Sequence, residues 1–269
     1  MFRSLCLAAA AACLFSAAPR IAGAQDIDRV VSAELRPGWR QADGTHMAAL
    51  HLKLAPGWKT YWRAPGDAGI PPEFGWRGSA NLSGVSVVWP RPDVFEQGGM
   101  RSIGYHDEVI LPLAIRPASG GDVRLAGDMR LGICKDICMP HELSFSAVLP
   151  AAPSPRDPAI VAALADRPFT AADVGGASAE CRVDPSGKGM TLTAEIAVDP
   201  AGTREDVVIE TGNPLLWVSE PRSRREGGTL VTRAEVRHVE KRPFALDRSS
   251  LTFTVLGSSH AVEIEGCSR

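Results

Sequence analysis

Two cysteines four positions apart, Cys134 and Cys138, sit between two runs of alternating apolar residues. Val123, Leu125, Met129 and Leu131 alternate with polar neighbours before the pair. Leu143, Phe145, Ala147 and Leu149 do the same after it. That period is the signature of a half-buried β-strand. The intervening Gly132-Ile133-Cys134-Lys135-Asp136-Ile137-Cys138-Met139-Pro140 carries Gly and Pro as punctuation. A straight strand would hold the two Cα atoms roughly 13 Å apart, at about 3.3 Å per residue. A disulfide needs them within about 7 Å. The segment must therefore turn if the pair is to bridge, and the pattern predicts a β-hairpin with the cysteines at its tip.

The start of the chain bears on whether such a bridge can form. Met1-Phe2-Arg3-Ser4 is a short basic start, Leu5 to Ala18 is rich in Ala and Leu, and Ala22-Gly23-Ala24 precedes Gln25. This is the layout of a cleaved secretory signal, expected over residues 1–24. Its apolar stretch falls short of the roughly 20 residues a membrane helix needs, and no later run approaches that length. Cys13 raises a lipoprotein alternative, but Ala10-Ala11-Ala12 is a poor lead-in. The product is expected to be exported, with no membrane span of its own. Arg3 and Arg20 would leave with the signal, so 29 − 2 = 27 basic residues face 31 acidic ones, a net charge of −4. A weakly acidic chain does not attract nucleic acid or an anionic membrane.

Of the six cysteines, Cys6 and Cys13 would also leave with the signal. The remaining four suit two bridges in an oxidising compartment. Spacing favours Cys134–Cys138 and Cys181–Cys267 among the possible pairings. Closing the short loop stabilises by only about 2 kcal/mol, and closing the long one by roughly 4–5 kcal/mol. The long bridge reads as structural. The short one adds little stability and sits where a partner can reach it, the kind of disulfide that is readily reduced. A simple hairpin staple fits the spacing equally well. The C-x-x-x-C spacing is not the C-x-x-C of thioredoxins.

A mature length of 269 − 24 = 245 residues suits two modest domains. Pro150-Ala151-Ala152-Pro153-Ser154-Pro155-Arg156-Asp157-Pro158 has four prolines in nine residues and reads as a linker. A brief helix is expected at Ala159–Asp166, because Ile160, Val161 and Leu164 fall on one face. Strand candidates precede it at Met47–Leu54, Val85–Trp89, Val109–Ile115, Val123–Leu131 and Leu143–Leu149. Others follow at Glu180–Val183, Met190–Val198, Val207–Glu210, Leu230–Arg237, Leu251–Leu256 and Ala261–Glu265. The expectation is an all-β chain of two β-sandwiches, at residues 25–150 and 173–269, with a linker and short helix at 151–172.

Five of the six tryptophans lie between Trp39 and Trp89, several among Pro and Gly in the stretch Pro56 to Phe74. Such rings can form a binding surface for sugars or a partner loop. They can equally fill a small sandwich core and brace long loops, and this second role is expected for most of them.

The residues then carry a family resemblance. Trp58-Lys59-Thr60-Tyr61-Trp62, Trp89-Pro90, Gly104-Tyr105 with Val109-Ile110-Leu111-Pro112, and Gly132…Cys134…Cys138-Met139-Pro140 resemble the periplasmic N-terminal domain of the DsbD family of disulfide reductases. The ScsB-like branch, named for suppression of copper sensitivity, is the nearest in appearance. The likeness is specific from about Trp39 to Leu149. It extends more weakly to Val262-Glu263-Ile264-Glu265-Gly266-Cys267.

The resemblance implies an immunoglobulin-like first domain with a redox cysteine pair on a protruding hairpin. That pair takes electrons from a membrane-embedded donor and passes them to periplasmic thioredoxin-fold proteins. Cys134 and Cys138 match it, with Cys138 as the attacking and Cys134 as the resolving residue. Pro92-Asp93-Val94-Phe95-Glu96 matches the position of a cap loop whose aromatic shields the cysteines. Phe95 is then the cap, with Asp93, Glu96 and Tyr105 as modulating neighbours. The best-known members have a longer spacer between the cysteines. The present chain ends at Arg269, so electrons are expected from a separate membrane protein.

No cofactor is implied. A copper-handling alternative rests on Cys134, Cys138, Met139 and His141, since thiolate and thioether ligands favour Cu(I). Against it, Met139 can pack on the sandwich and His141 can be a surface residue. The other histidines lack zinc-ligand spacing. The chain carries no phosphate-binding glycine loop and no nucleophile elbow.

Overall fold

A computed structural model describes residues 30–268 other than Ala68, Gly98 and Lys188. The expected signal peptide lies outside the described residues. The first half contributes ten strands: β1 (Val31–Arg40), β2 (His46–Leu54), β3 (Lys59–Tyr61), β4 (Glu73–Gly75), β5 (Leu82–Val87), β6 (Asp93–Gln97), β7 (Met100–His106), β8 (Glu108–Pro117), β9 (Val123–Cys134) and β10 (Cys138–Leu149). They form one antiparallel sheet in the order β1-β2-β8-β5 and a second in the order β10-β9-β3-β7-β6, with β4 against β9. The two sheets pack face to face as an immunoglobulin-type sandwich. Alternation along β9 turns Val123, Leu125, Met129, Leu131 and Ile133 inward, against Leu50, Leu52, Leu111, Leu113 and Ile115 of the other sheet. Each such side chain contributes about 1.5–3 kcal/mol on burial.

The segment after the first sandwich is fastened down. Helix α1 (Pro158–Ala165) begins where the Asp157 carboxylate accepts from the Ala159 N–H at 2.8 Å and the Ile160 N–H at 3.4 Å. Asp157 caps the orphan amides, and Pro158 suits the first turn. The Arg36 Nε donates to the same carboxylate at 2.8 Å, tying the helix to β1. Ile160 then packs on Trp39, Met47 and Ala49, so β2 is covered on both faces.

The second half contains β11 (Phe169–Thr170), β12 (Ser178–Ser186), β13 (Gly189–Ala197), β14 (Glu205–Glu210), β15 (Leu216–Val218), β16 (Arg222–Glu226), β17 (Thr229–His238), β18 (Thr252–Gly257) and β19 (Ala261–Glu265). One sheet runs β11-β19-β18-β14 and the other β12-β13-β17-β15, with β16 beside β17. Leu192, Ile196, Val236, Phe253, Val255 and Val262 fill the space between them. Cys181 of β12 is bonded to Cys267, just past β19, with Cα atoms 5.8 Å apart. The chain is thus all-β, a pair of sandwiches. Among the described residues no helix is long and apolar enough to cross a membrane.

The two sandwiches touch. Val208, Leu256 and Ala261 of the second join the apolar cluster of the first. The Arg101 Nη1 pairs with Asp206 at 3.3 Å. Arg63 pairs with Glu210 and with Glu263.

The segment read as a cap loop, 92–96, is largely edge strand β6, paired with β7 from Asp93↔Gly104 to Gln97↔Met100. Val94 packs on the core, which fixes the strand to the sandwich rather than leaving it free. The tryptophans of the first half are buried or half-buried: Trp39, Trp58 and Trp62 are enclosed, and Trp76 and Trp89 pack beside Phe74.

Candidate functional site

Cys134 ends β9 and Cys138 opens β10, directly opposite each other in the register. Lys135, Asp136 and Ile137 make the turn, closed by the Lys135 N–H donating to the Ile137 carbonyl at 3.3 Å. This brings the Cα atoms to 4.2 Å and the sulfurs into a bond of 2.07 Å. The two cysteines are unequal. Cys134 is fully buried, because β9 is flanked by β10 on one side and β3 on the other. Cys138, on an edge strand, is exposed, and its neighbour Ile137 is 66 % exposed.

Register builds the surroundings. Lys59 of β3 lies opposite Cys134, and His106 of β7 lies opposite Lys59. Opposed residues on paired strands share a face. Tyr61, two residues from Lys59, shares it too. Its ring lies on the bare backbone of Gly132. A Cβ at Gly132 would stand 2.9 Å from that ring and 2.7 Å from Cβ of Ile70, so glycine is needed there. The Tyr61 hydroxyl thereby reaches both sulfurs, at 2.7 Å from Cys134 Sγ and 3.0 Å from Cys138 Sγ. A disulfide carries no proton, so the hydroxyl donates. Burial raises the Tyr61 pKa above its ordinary value, which keeps that proton in place at neutral pH.

Phe95 enters the same neighbourhood from β6. Its ring centroid is 4.8 Å from that of His106, and the Lys59 ammonium lies 4.3 Å over its face. Burial lowers the Lys59 pKa from its ordinary value. Asp93 stands opposite Gly104, and its charge is felt by Asp166. Glu96 stands opposite Arg101. Neither carboxylate bonds to the cysteines.

Two further assignments are corrected by strand alternation. Tyr105 sits between Gly104 and His106, so its ring points into the sandwich core, where its hydroxyl donates to the Pro90 carbonyl at 2.8 Å. It belongs to the core and not to the cysteine face. Met139 faces Ile133 and His141 faces Leu131 across β10 and β9, one step out of phase with Cys138. Both are thus on the face opposite the sulfurs, and Met139 packs on the core. The four candidate copper ligands do not converge. Among the described residues no three His, Cys, Asp or Glu side chains gather as a metal site.

The sequence alone assigns Tyr61 no role beyond its place in Trp58-Lys59-Thr60-Tyr61-Trp62. The available signal was a glycine two residues before Cys134, a flat spot on a strand that a ring can cover.

Residues 30–150 match the family model described as thiol:disulfide interchange protein DsbD, N-terminal. The crystal structure of the N-terminal periplasmic domain of ScsB from Proteus mirabilis is similar in fold. The match covers 89 % of this chain and 92 % of that one, with a TM-score of 0.63 and 22 % identity. The likeness therefore runs through both sandwiches. No curated protein matches the chain.

Proposed function

With residues 30–150 forming a DsbD N-terminal domain, we propose that this protein is a periplasmic thiol–disulfide exchange module whose working pair is Cys134 and Cys138. The observation that carries this reading is the unequal pair under one hydroxyl: a buried sulfur, an exposed sulfur, and Tyr61 donating to both.

In the reductive half, a thiolate of the donor attacks the exposed Cys138 Sγ. The Cys134–Cys138 bond breaks, and Cys134 departs as a thiolate with the bonding electron pair. That thiolate is a stronger acceptor for the Tyr61 O–H than the disulfide was. A second donor thiolate then attacks the donor's own sulfur in the mixed disulfide. Cys138 is released, the donor leaves as a disulfide, and the module holds two thiols. In the oxidative half, the Cys138 thiolate attacks a target disulfide and displaces one target sulfur. Cys134 resolves the mixed disulfide, the target leaves as a dithiol, and the original bond re-forms. Two electrons pass in each half.

The donor in this reading is a membrane-embedded thiol reductase, and the acceptors are periplasmic thioredoxin-fold proteins. Ile137, exposed beside Cys138, provides an apolar contact for such a partner. Cys181–Cys267 serves structure alone.

The test is a trap. The Cys134→Ser variant keeps the attacking Cys138 and lacks the resolving thiol, so it accumulates a mixed disulfide with a thioredoxin-fold partner. The Cys138→Ser variant leaves only the buried sulfur and accumulates none. Equal trapping by both variants, or by neither, contradicts the proposal.

A further inference from the structure

Loop 62–72 joins β3 to β4 and has two occupied sides. On one side it presses on Tyr61. A Cβ at Gly69 would come within 2.2 Å of Cβ of Pro65 and 2.8 Å of Cδ1 of Tyr61. Ile70 closes over Gly132 beside the same ring. The start of the loop is pinned to β7, since Trp62 N–H donates to the Ile103 carbonyl and Ile103 N–H to the Pro65 carbonyl, both at 3.0 Å. The Tyr61 ring is thus held between the backbone of β9 and the folded loop.

On its other side the loop is gripped by the second sandwich. The Arg63 guanidinium lies 4.4 Å over the Trp62 ring and points across the interface. Its Nε donates to both Glu210 carboxylate oxygens at 3.0 and 3.2 Å, and its Nη2 to Glu210 Oε2 at 2.8 Å. Nη2 also pairs with Glu263. Glu210 is on β14 and Glu263 on β19, so two strands of one sheet converge on a single arginine. All three side chains are only about a quarter exposed, with 25 %, 26 % and 25 % of their surface accessible. Two carboxylates brought together this way repel unless a cation stays between them. A forked, half-buried pair of this kind fixes geometry as well as energy. It is separated from the disulfide by one residue of chain, Trp62, and the Tyr61 ring.

We propose that Arg63 is a positioning residue through which Glu210 and Glu263 of the second sandwich hold the Tyr61 hydroxyl on the Cys134–Cys138 pair. The second sandwich thereby sets the thiol–disulfide equilibrium of the first. This rests on the exchange function proposed above.

The experiment measures the equilibrium in which the protein disulfide and two glutathione thiols give the protein dithiol and glutathione disulfide, using the full chain. Glu210→Gln with Glu263→Gln removes both charges at nearly constant volume. The hydroxyl then loses its fixed position, and the equilibrium shifts toward the protein disulfide by roughly three- to tenfold, the worth of about one hydrogen bond. In a Tyr61→Phe background the same double change adds no further shift, since the group it positions is gone. Glu205→Gln, which breaks the Glu205–Arg225 ion pair within the second sandwich and leaves Arg63 its two carboxylates, serves as the control and leaves the equilibrium in place. Where the double variant does not fold, Arg63→Lys carries the test, because lysine keeps the charge and loses the fork. An unmoved equilibrium in a folded clamp variant overturns the inference and leaves the exchange function standing. So does an equal shift with and without the Tyr61 hydroxyl. A parent protein whose Cys134–Cys138 bond never exchanges with glutathione sinks both.

Discussion

The Tyr61 hydroxyl lies 2.7 Å from Cys134 Sγ, across 73 residues of sequence, and is buried with it. Because a thiolate accepts such a bond better than a disulfide sulfur, the phenol favours the reduced pair. Tyr61→Phe is therefore expected to shift the glutathione equilibrium toward the disulfide by roughly three- to tenfold. It also slows the step in which Cys134 departs. Global stability changes little, since the ring and its packing on Gly132 remain. Redox titration beside thermal unfolding reads both. An unchanged equilibrium would show the contact to be idle.

Phe95 is expected to restrict access. Its ring packs on His106 and under the ammonium of Lys59, the residue opposite Cys134. Phe95→Ala should speed alkylation of the reduced pair while thermal stability falls by no more than about 1 kcal/mol, as for a half-buried edge position. Equal alkylation rates in parent and variant argue against any shielding by this ring.

Thiol exchange and copper handling part company at Met139 and His141. Both point to the face opposite the sulfurs. The variant Met139→Leu with His141→Gln roughly preserves volume and should retain mixed-disulfide formation in a Cys134→Ser background. The parent should bind Cu(I) no better than a generic vicinal dithiol. Tight one-to-one Cu(I) binding that collapses in the variant, with no mixed disulfide, would overturn the redox reading.

How much of this was legible in the sequence follows from range. Alternation announced the hairpin strands around Val123–Leu131 and Leu143–Leu149, and Pro-rich punctuation announced the break near 150–158. Strand β16, Arg-Ser-Arg-Arg-Glu, gave no such signal, because it is an edge strand with charged side chains on its exposed positions. Strand β6 was hidden in a different way. Its five residues include one core contact, Val94, too few for a periodic pattern. The partners of the cysteines were the least legible. Tyr61 and Cys134 meet through the register of β3 on β9, a long-range pairing that no local window contains. Arg63 with Glu210 and Glu263 lies further out of reach, since it depends on how two separately folded sandwiches face each other.

Acid should unfasten the molecule at two named places. Burial alone would raise the Glu205 pKa, but hydrogen bonds from Arg225 and the Ala201 N–H outweigh it and hold the carboxyl below its ordinary 4.5. Burial likewise opposes charge on Asp157, and the bonds from Arg36, Ala159 and Ile160 hold it below 3.8. A carboxyl whose folded pKa is depressed binds fewer protons folded than unfolded. Its stabilisation is present above the unfolded value and is lost as pH falls through the folded one. The melting temperature should thus be level from these carboxyls between pH 5 and 7 and fall below about pH 4.5. Glu205→Gln should cost about 1.5–3 kcal/mol at neutral pH and flatten the acid limb. An acid limb as steep in the variant as in the parent would assign the loss elsewhere.

The most direct test of the account compares the reduction potentials of the two disulfides in one protein. A working pair must be reducible by periplasmic carriers, and a structural bridge must resist them. Cys134–Cys138 is expected above about −300 mV, in the range of thiol–disulfide carriers, and Cys181–Cys267 below it. A Cys134–Cys138 potential as low as that of Cys181–Cys267 would mark the hairpin bond as a staple and contradict the proposed function.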